Sequence, residues 1–441
     1  MPTGTATERL ARSAAAAEPV ARTAAAAEPV ARSAAAAERL ARWATELEPS
    51  EEDLALARRS LLDTVAVMFA GRADPLADLF GRLGADAGRW AALAHVLDYD
   101  DLHMPSTTHI SAVCVPAALA AARDGGVDPA RAYLAGAGVM ARLGTALGWR
   151  HYQAGWHATC TAGAPAAAVS ASVARGLDAE QTTVAIALAI PAAGGVQRAF
   201  GTAAKALQVG FAAEAGVRAA ALAEAGANAD VGALEEWMAL VGGDSGALDT
   251  TGPAVPGGLA IKLFPCCYAL QRPIAAVADL GPLAEGQVRR IEVRTPACAL
   301  APLIHHRPRT GLEGKFSLEY GIAAALLDGA PGIECFTDAA VRRAEAVRLV
   351  EAVRVAEAVD TSAAEGGDHL LAGEIELEVT LADGAKLATT LVLPPGAPDR
   401  PPTDEELLTK LSLCAGAGAD ELAALTWESA GAYLRSGPVA V

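Results

Sequence analysis

Between Ser50 and about Leu259 the sequence contains no strand-like alternation of polar and apolar residues of any length. The apolar residues there recur at helical spacing, in long Ala-, Leu- and Val-rich stretches separated by Gly-containing breaks. Although 52% of the chain is hydrophobic, only 4% is aromatic, so alanine must supply much of the apolar content. Because alanine costs least in a helix and lets backbones approach closely, this region predicts a large, all-helical domain.

The pattern changes after Gly281. Residues 289–294 and 374–381 alternate polar and apolar side chains, as half-buried strands do. The second of these runs is followed by Asp383-Gly384 and by a returning run from Lys386 to Val392, which predicts a β-hairpin. This part of the chain is therefore expected to form a smaller α+β domain with an antiparallel sheet.

Helical signals flank and interrupt these strands. Leu318 to Leu327 and Ala339 to Val350 have helical patterns, and Thr403 with Glu406 forms a capping box that opens a C-terminal helical segment. The fold class is predicted to be mainly α.

The chain of 441 residues exceeds the size at which a single core keeps growing, so more than one domain is expected. A ten-residue repeat over residues 8–42 has Pro19 and Pro29 where a long helix would have to continue, which indicates a partly disordered tail. The predicted organisation is a low-complexity tail at 1–38, a helical domain at 39–266, an α+β domain at 267–400, and a C-terminal segment at 401–441 that returns to the helical domain.

The formal net charge of −17 argues against a nucleic-acid partner, which would need a cationic face. No segment has the length and hydrophobicity of a membrane span, and the alanine runs near the N-terminus are interrupted by Glu18 and Glu28, unlike a signal core. The seven cysteines show no C-x-x-C pair, and the neighbours Cys266 and Cys267 favour packed, reduced thiols over a metal site. These features predict a cytoplasmic protein without a membrane partner.

Five short stretches carry most of the informative polar residues, and each includes a group suited to acid–base chemistry or to binding an anion. They are residues 97–109, 155–163, 201–205, 261–268 and 315–320. In the first, Asp98, Asp101, His103 and His109 could be metal ligands or an acid–base set; without the signature of a particular metal, acid–base and positioning roles are preferred. In the second, His157 is expected near a helix N-terminus, where an anion is attracted.

In order and approximate spacing, these stretches resemble the MmgE/PrpD family. The resemblance covers about residues 39–430 and rests on a set of motifs: Leu61-Leu62-Asp63-Thr64 with Gly71, Asp98-Tyr99-Asp100-Asp101 with His109, Gly155-Trp156-His157, Thr161-Ala162-Gly163, Gly201-Thr202 with Lys205, Lys262 to Cys267, and Lys315-Phe316-Ser317 with Tyr320. The family includes 2-methylcitrate dehydratases, cis-aconitate decarboxylases and an iminodisuccinate epimerase.

The resemblance implies a homodimer with its active site between the two domains, no cofactor or metal, and a small anionic di- or tricarboxylate as substrate. The corresponding pocket residues are Asp98, His109, His157, Lys205, Lys262 and Tyr320. A lyase that moves a proton next to a carboxylate, by dehydration or decarboxylation, is the leading hypothesis. An isomerase or epimerase, and a catalytically silent metabolite-binding protein, stay open as alternatives.

Three residues depart from the family's common pattern and favour a substrate different from the usual tricarboxylates, or an altered activity. Leu102 stands where Thr often follows the Asp pair, and Gln208 and Gln271 stand where or near where His is common. Which histidine acts as base and which as acid is left open by the sequence.

Overall fold

The computed structural model describes residues 35–123, 125–281, 283, 285–357 and 373–436. The repeat tail predicted at 1–38 therefore lies outside the described residues up to position 34. From Ala35 onward the described chain forms one compact unit.

The first part of the described chain is helical, as predicted. Its helices are α1 (Ala36–Glu46), α2 (Glu51–Gly71), α3 (Ala77–Phe80), α4 (Asp86–Val96), α5 (Ser111–Ala121), α6 (Pro129–Gln153), α7 (Ala158–Arg175), α8 (Ala179–Ala189), α9 (Ala203–Glu224) and α10 (Ala233–Leu240). Ser50 caps α2 and forms a capping box with Asp53.

Helices α7 and α9 form the centre of this part, and small residues decide how closely they approach. A Cβ atom at Gly216 on α9 would lie 2.5 Å from the Cβ of Ala167 on α7. Similarly, a Cβ at Gly136 on α6 would clash with Ser170 on α7. The alanine-rich, aromatic-poor composition therefore acts at these crossings, because it allows short interaxial distances.

The second part combines short helices with one sheet. Its elements are α11 (Gln271–Asp279), β1 (Val288–Thr295), α12 (Ala297–Leu300), α13 (Gly311–Gly314), α14 (Leu318–Asp328), α15 (Asp338–Val341), α16 (Ala344–Ala352), β2 (Val353–Glu357), β3 (Ile375–Leu381) and β4 (Lys386–Leu391). The helix predicted over 339–350 is divided into α15 and α16.

The four strands lie in the order β2-β1-β3-β4. The predicted hairpin is confirmed, since β3 pairs antiparallel with β4 around Asp383-Gly384, and Gly384 has a φ of 87°. The sheet is mixed rather than antiparallel, because β2 pairs parallel to β1. The long helical connection between those two strands permits parallel pairing, which a tight turn cannot do.

The chain then continues through α17 (Asp404–Ala415), α18 (Ala419–Ala423) and α19 (Trp427–Ser436). Thr403 and Glu406 form the predicted capping box at the start of α17. Leu411, Cys414 and Trp427 of this segment are buried in the same hydrophobic core as the first ten helices.

A second core unites one face of the sheet with α11, α14 and α16. The fold class is thus confirmed as mainly α, with a helical part and a smaller α+β part. In the described part of the chain, no helix combines the length and hydrophobicity that crossing a bilayer requires.

Candidate active site

A buried loop between α4 and α5, residues 97–110, supplies most of the polar groups of the candidate site. It is anchored by backbone bonds between Leu102 and Ala260 and between His103 and Thr108. Asp98 adopts a left-handed backbone conformation with a φ of 54°, which turns the chain sharply just after α4. The loop therefore has a fixed shape that aims side chains from Asp98, Asp100 and His109 in one direction.

Asp98 is the centre of a buried ion pair with two lysines. Lys262 donates both to the carboxylate Oδ1 and, at 2.9 Å, to the main-chain carbonyl of Asp98. The Nζ of Lys205, on the first turn of α9, lies 3.3 Å from the other carboxylate oxygen. Burial alone would raise the pKa of Asp98, but Lys205 and Lys262 outweigh it and hold the pKa well below its usual range.

Asp100 organises two imidazoles. Its Oδ2 is 2.7 Å from Nδ1 of His95, in the last turn of α4, and 3.1 Å from Nδ1 of His109. The first is a hydrogen bond, whereas the second is an electrostatic contact that falls short of hydrogen-bond geometry. Although burial opposes ionisation, the two imidazoles keep the pKa of Asp100 well below its usual range.

A hydrogen-bond chain runs from Asp100 through His95 to Lys205. His95 Nε2 lies 2.7 Å from Nζ of Lys205, and its other nitrogen faces Asp100. Because an ammonium can only donate, Nε2 of His95 must accept, and the imidazole proton must lie on Nδ1 and point to Asp100. His95 is therefore a neutral imidazole with both nitrogens engaged, in agreement with the lowering of its pKa by burial.

His157 immediately precedes α7, as its motif predicted, and its ring lies 5.7 Å from that of His95, centre to centre. Its Nδ1 is 2.6 Å from Nε2 of Gln208 and 3.2 Å from Sγ of Cys160. Burial, followed by the charge of Lys205, holds the pKa of His157 well below its usual range. Burial also lowers the pKa of His109 to about 4, so these imidazoles are neutral at pH 7.

A narrow cavity opens onto this cluster. Its lining includes His95, Asp98 and Lys205 from the helical part together with Lys315 and Phe316 from the α+β part. Phe316 stacks on Phe200 at 5.3 Å between ring centres, so aromatic rings close one side. A wider open groove, lined in part by Glu38, Arg42 and Glu180, shares no residue with the cluster.

Lys315 joins the two parts of the chain at this cavity. Its Nζ donates to the main-chain carbonyls of Leu97 and, at 3.0 Å, of Pro265. Burial lowers its pKa to about 8, so the side chain is mostly protonated at pH 7. Three lysines (Lys205, Lys262 and Lys315) thus lie near two carboxylates (Asp98 and Asp100), and this leaves a net positive charge where a ligand would enter.

The structure places Tyr320 away from this cluster. Its hydroxyl donates to the main-chain carbonyl of Cys335, and its ring packs edge-on against Phe336 in the second core. Within the described ranges, no hydrogen bond or ring contact joins Tyr320 to Asp98, His109, His157, Lys205 or Lys262. The pocket role of Tyr320 stays a prediction that these contacts do not support.

Two further polar residues of the loop serve its folding. Asp101 binds Ser111 at the start of α5, and burial raises its pKa to about 7. His103 binds Ser106 and the main-chain carbonyl of Pro256. Of the four loop residues considered together from the sequence, only Asp98 and His109 reach the cluster.

Three participants were missed as site residues from the sequence: His95, Asp100 and Lys315. Asp100 and Lys315 lie within motifs that were recognised, but no local signal separates them from their polar neighbours. His95 lies within an apolar helical pattern, five residues before Asp100. At this spacing, a side chain in the last turn of a helix can contact a residue of the loop that follows the helix. The spacing is therefore the signal that could have identified His95.

His95, Asp100 and His109 also form a set that could hold a metal ion, since one ligand atom from each lies within 4.8 Å of the others. Metal binding through Nδ1 of His95 would move the imidazole proton to Nε2. That nitrogen already accepts from the ammonium of Lys205, so two donors would then face each other. The residues present therefore fit the hydrogen-bonded arrangement better than a metal centre.

Comparison with known proteins gives concordant matches. The model of the MmgE/PrpD N-terminal domain matches residues 85–242, and that of the MmgE/PrpD C-terminal domain matches residues 264–429. A cis-aconitate decarboxylase of Aspergillus terreus is 26% identical over 370 residues, which cover 75% of this chain and 74% of that protein. A cis-aconitate decarboxylase-like protein of Aspergillus oryzae is 29% identical over 220 residues, or 42% of this chain and 46% of that protein.

Proposed function

Because the chain belongs to the MmgE/PrpD family, we propose that it is a lyase that acts on a small di- or tricarboxylate through proton transfer next to a carboxylate. Decarboxylation is favoured over dehydration, since two similar proteins are named as cis-aconitate decarboxylases. The observation that carries the proposal is the cationic cavity, which is lined by Lys205, Lys315 and the neutral imidazole of His95.

The two lysines bound to Asp98 have different parts in this proposal. Lys262 is fully buried and binds both a carboxylate oxygen and the main-chain carbonyl of Asp98, so it fixes the carboxylate and neutralises it. Lys205 lines the cavity and is the cation available to a substrate carboxylate. A cation in place before the reaction stabilises negative charge as it develops, without reorganisation.

In decarboxylation, a carbon–carbon bond to one carboxylate breaks, carbon dioxide leaves, and the electron pair stays on the adjacent carbon. That negative charge delocalises towards a neighbouring carbonyl or carboxylate group, whose oxygens Lys205 is placed to bind. A proton from an acid in the site is then added to carbon, which restores the balance of charge. An imidazole can take up this proton and deliver it when a carboxylate lies beside it to stabilise the imidazolium, as Asp100 lies beside His109.

We test the reaction by NMR in deuterated water, with the full chain and a panel of cis-aconitate, 2-methylcitrate and related acids. Loss of carbon dioxide, with deuterium incorporated at the carbon that carried it, is the expected result for cis-aconitate. Dehydration or exchange without net loss of carbon would indicate the dehydratase or epimerase alternative. Saturable binding without product or exchange would overturn the proposal in favour of a silent metabolite-binding protein.

Metal independence and the absence of a cofactor are part of the same proposal. Incubation with a strong chelator, followed by gel filtration, should leave kcat/KM unchanged, because Lys205 occupies the nitrogen side that a metal-bound His95 would need for its proton. Recovery of activity only on addition of a divalent ion would contradict it. A homodimer and a cytoplasmic location, both expected from the sequence, complete the proposal.

A further inference from the structure

Gln208 lies three residues after Lys205 on α9, so both side chains extend from the same face of that helix. Lys205 contacts His95, and Gln208 contacts His157. From the sequence, Gln208 was interpreted as the loss of a proton-carrying group, since an amide cannot replace the imidazole that is common at this position in that role. Its contacts indicate a different use.

The orientation of the Gln208 amide is fixed from outside the site. Its Oε1 accepts from the main-chain N–H of Val196 at 3.1 Å, and its Nε2 also lies 3.3 Å from the Val196 carbonyl. Exchange of the amide oxygen and nitrogen would bring two donors together at Val196 N–H. The group that faces His157 is therefore the NH₂, which can only donate.

A donor at 2.6 Å requires Nδ1 of His157 to accept, so the proton of this neutral imidazole lies on Nε2. Cys160 is compatible with this state, because burial raises the pKa of its thiol and keeps it protonated. In the described part of the chain no hydrogen-bond partner is found for Nε2 of His157. Only that N–H remains for a ligand.

We infer that Gln208 is a positioning residue that fixes His157 as an N–H donor towards the substrate oxygen on which charge accumulates. His157 then contributes as a hydrogen-bond donor and not as a base. His109 has no such donor on either nitrogen among the described residues, so its lone pair is assigned to the proton exchange with carbon. His109 takes up a proton from solvent, and the imidazolium formed beside Asp100 delivers that proton to the carbanion left by carbon dioxide. This assignment rests on the proposed lyase chemistry, whereas the tautomer of His157 does not.

The experiment replaces the hydrogen-bond donor at position 208 by an acceptor. It tests the tautomer of His157 separately from the proposed lyase chemistry. In Gln208→Glu the carboxylate can still accept from Val196 N–H, but it now requires a proton on Nδ1 of His157. Gln181→Glu is the matched control, since Gln181 is the acceptor of the capping box of α8, a role that a carboxylate retains with the same change in charge.

Long-range ¹H–¹⁵N spectra of ligand-free protein report the tautomer directly. The wild type and Gln181→Glu are expected to carry the His157 proton on Nε2, and Gln208→Glu is expected to carry one on Nδ1. The His157 signal is assigned from a His157→Gln variant. A wild-type proton on Nδ1 would overturn the inference, whatever the protein catalyses.

Kinetics test the consequence. Loss of one preorganised donor typically lowers kcat by about 10²–10³-fold, so Gln208→Glu should lose at least ~100-fold in kcat with a smaller change in KM. Gln181→Glu should retain wild-type kcat. An Nε2–H tautomer with full activity in Gln208→Glu would refute the positioning role, and a wild type inactive on every acid would refute the proposed lyase while the spectra stand.

Discussion

Two buried Lys–Asp assemblies in this chain are built from the same residue types but differ in balance. Lys410 of α17 pairs one-to-one with Asp63 of α2, and neither side chain is more than 1% exposed. Lys410 also donates to the Tyr99 carbonyl at 2.7 Å and lies over the Tyr99 ring. Around Asp98, by contrast, Lys205 and Lys262 converge beside a cavity.

The difference is visible in the pKa of each carboxyl group. Burial raises the pKa of Asp63, because a single lysine does not compensate for it, whereas the pKa of Asp98 is lowered. A closed pair of equal charges joins the C-terminal segment to the helical part. The Asp98 assembly has more cations than anions and adjoins the cavity, so it is suited to bind an anionic ligand.

The largest expected effect is the loss of stability when the Lys410–Asp63 pair is broken. Lys410→Met leaves Asp63 buried without its cation and should lower the free energy of unfolding by about 3 kcal/mol. Urea unfolding measures the loss. The double variant Asp63→Asn/Lys410→Met should recover part of it, since no unpaired charge remains; equal losses in both variants would contradict the comparison.

The open assembly should respond in activity more than in stability. Lys205→Met removes the cation from the cavity while Asp98 keeps Lys262, so kcat/KM should fall by about 100-fold, equivalent to roughly 3 kcal/mol. Steady-state kinetics and urea unfolding of the same sample measure both quantities. If Lys205→Met unfolded as easily as Lys410→Met with little change in turnover, the functional reading of the Asp98 assembly would be wrong.

The two carboxyl groups should also give opposite pH dependences. Asp98, with a depressed folded pKa, contributes stability that is present above its unfolded pKa near ~3.9 and is lost as the pH falls through the folded value. Asp63, with a raised folded pKa, contributes stability that is complete below ~3.9 and is lost as the pH rises through the folded value.

Unfolding free energies of wild type, Asp98→Asn and Asp63→Asn between acid and neutral pH test this contrast. Each wild-type-minus-variant difference has a limiting slope of about 1.4 kcal/mol per pH unit, positive for Asp98 and negative for Asp63. Slopes of the same sign would show that the two assemblies have the same charge balance.

The smallest effect is expected at a residue outside both assemblies. Tyr320→Phe removes one hydrogen bond to Cys335 and should lower the free energy of unfolding by about 1 kcal/mol, with kcat/KM close to that of wild type. A large loss of turnover without a loss of stability would return Tyr320 to the site, as the family resemblance implies.

The sequence predicts the helical part, the hairpin and the capping boxes because these depend on local periodicity and turn chemistry. It does not predict β2, since a five-residue strand directly after α16 is too short for its pattern to be separated from that of the helix. Its parallel pairing depends on the distant β1, so the prediction of an antiparallel sheet was wrong in this respect.

The candidate site also contains residues that the sequence predicts and others whose role depends on distant contacts. Asp98, His109, His157, Lys205 and Lys262 lie in recognisable motifs, and the structure brings them together. The motif that contains Tyr320 gives no information on the direction of its side chain, which turns into the second core. Gln208 was interpreted as a lost proton carrier because hydrogen-bond polarity depends on Val196, twelve residues away.

The left-handed backbone at Asp98 restricts which amino acids can occupy this position without strain. The ammonium of Lys262 binds both the main-chain carbonyl and the side chain of Asp98, at the point where the chain turns sharply. Asn, Asp and Gly tolerate that conformation far better than other amino acids. Of these, Asn would keep the backbone conformation but remove the negative charge. Gly would also keep the conformation, but it would remove the whole side chain that Lys262 binds. Substitutions other than Asn or Gly at position 98 are therefore expected to strain the turn as well as to change the charge.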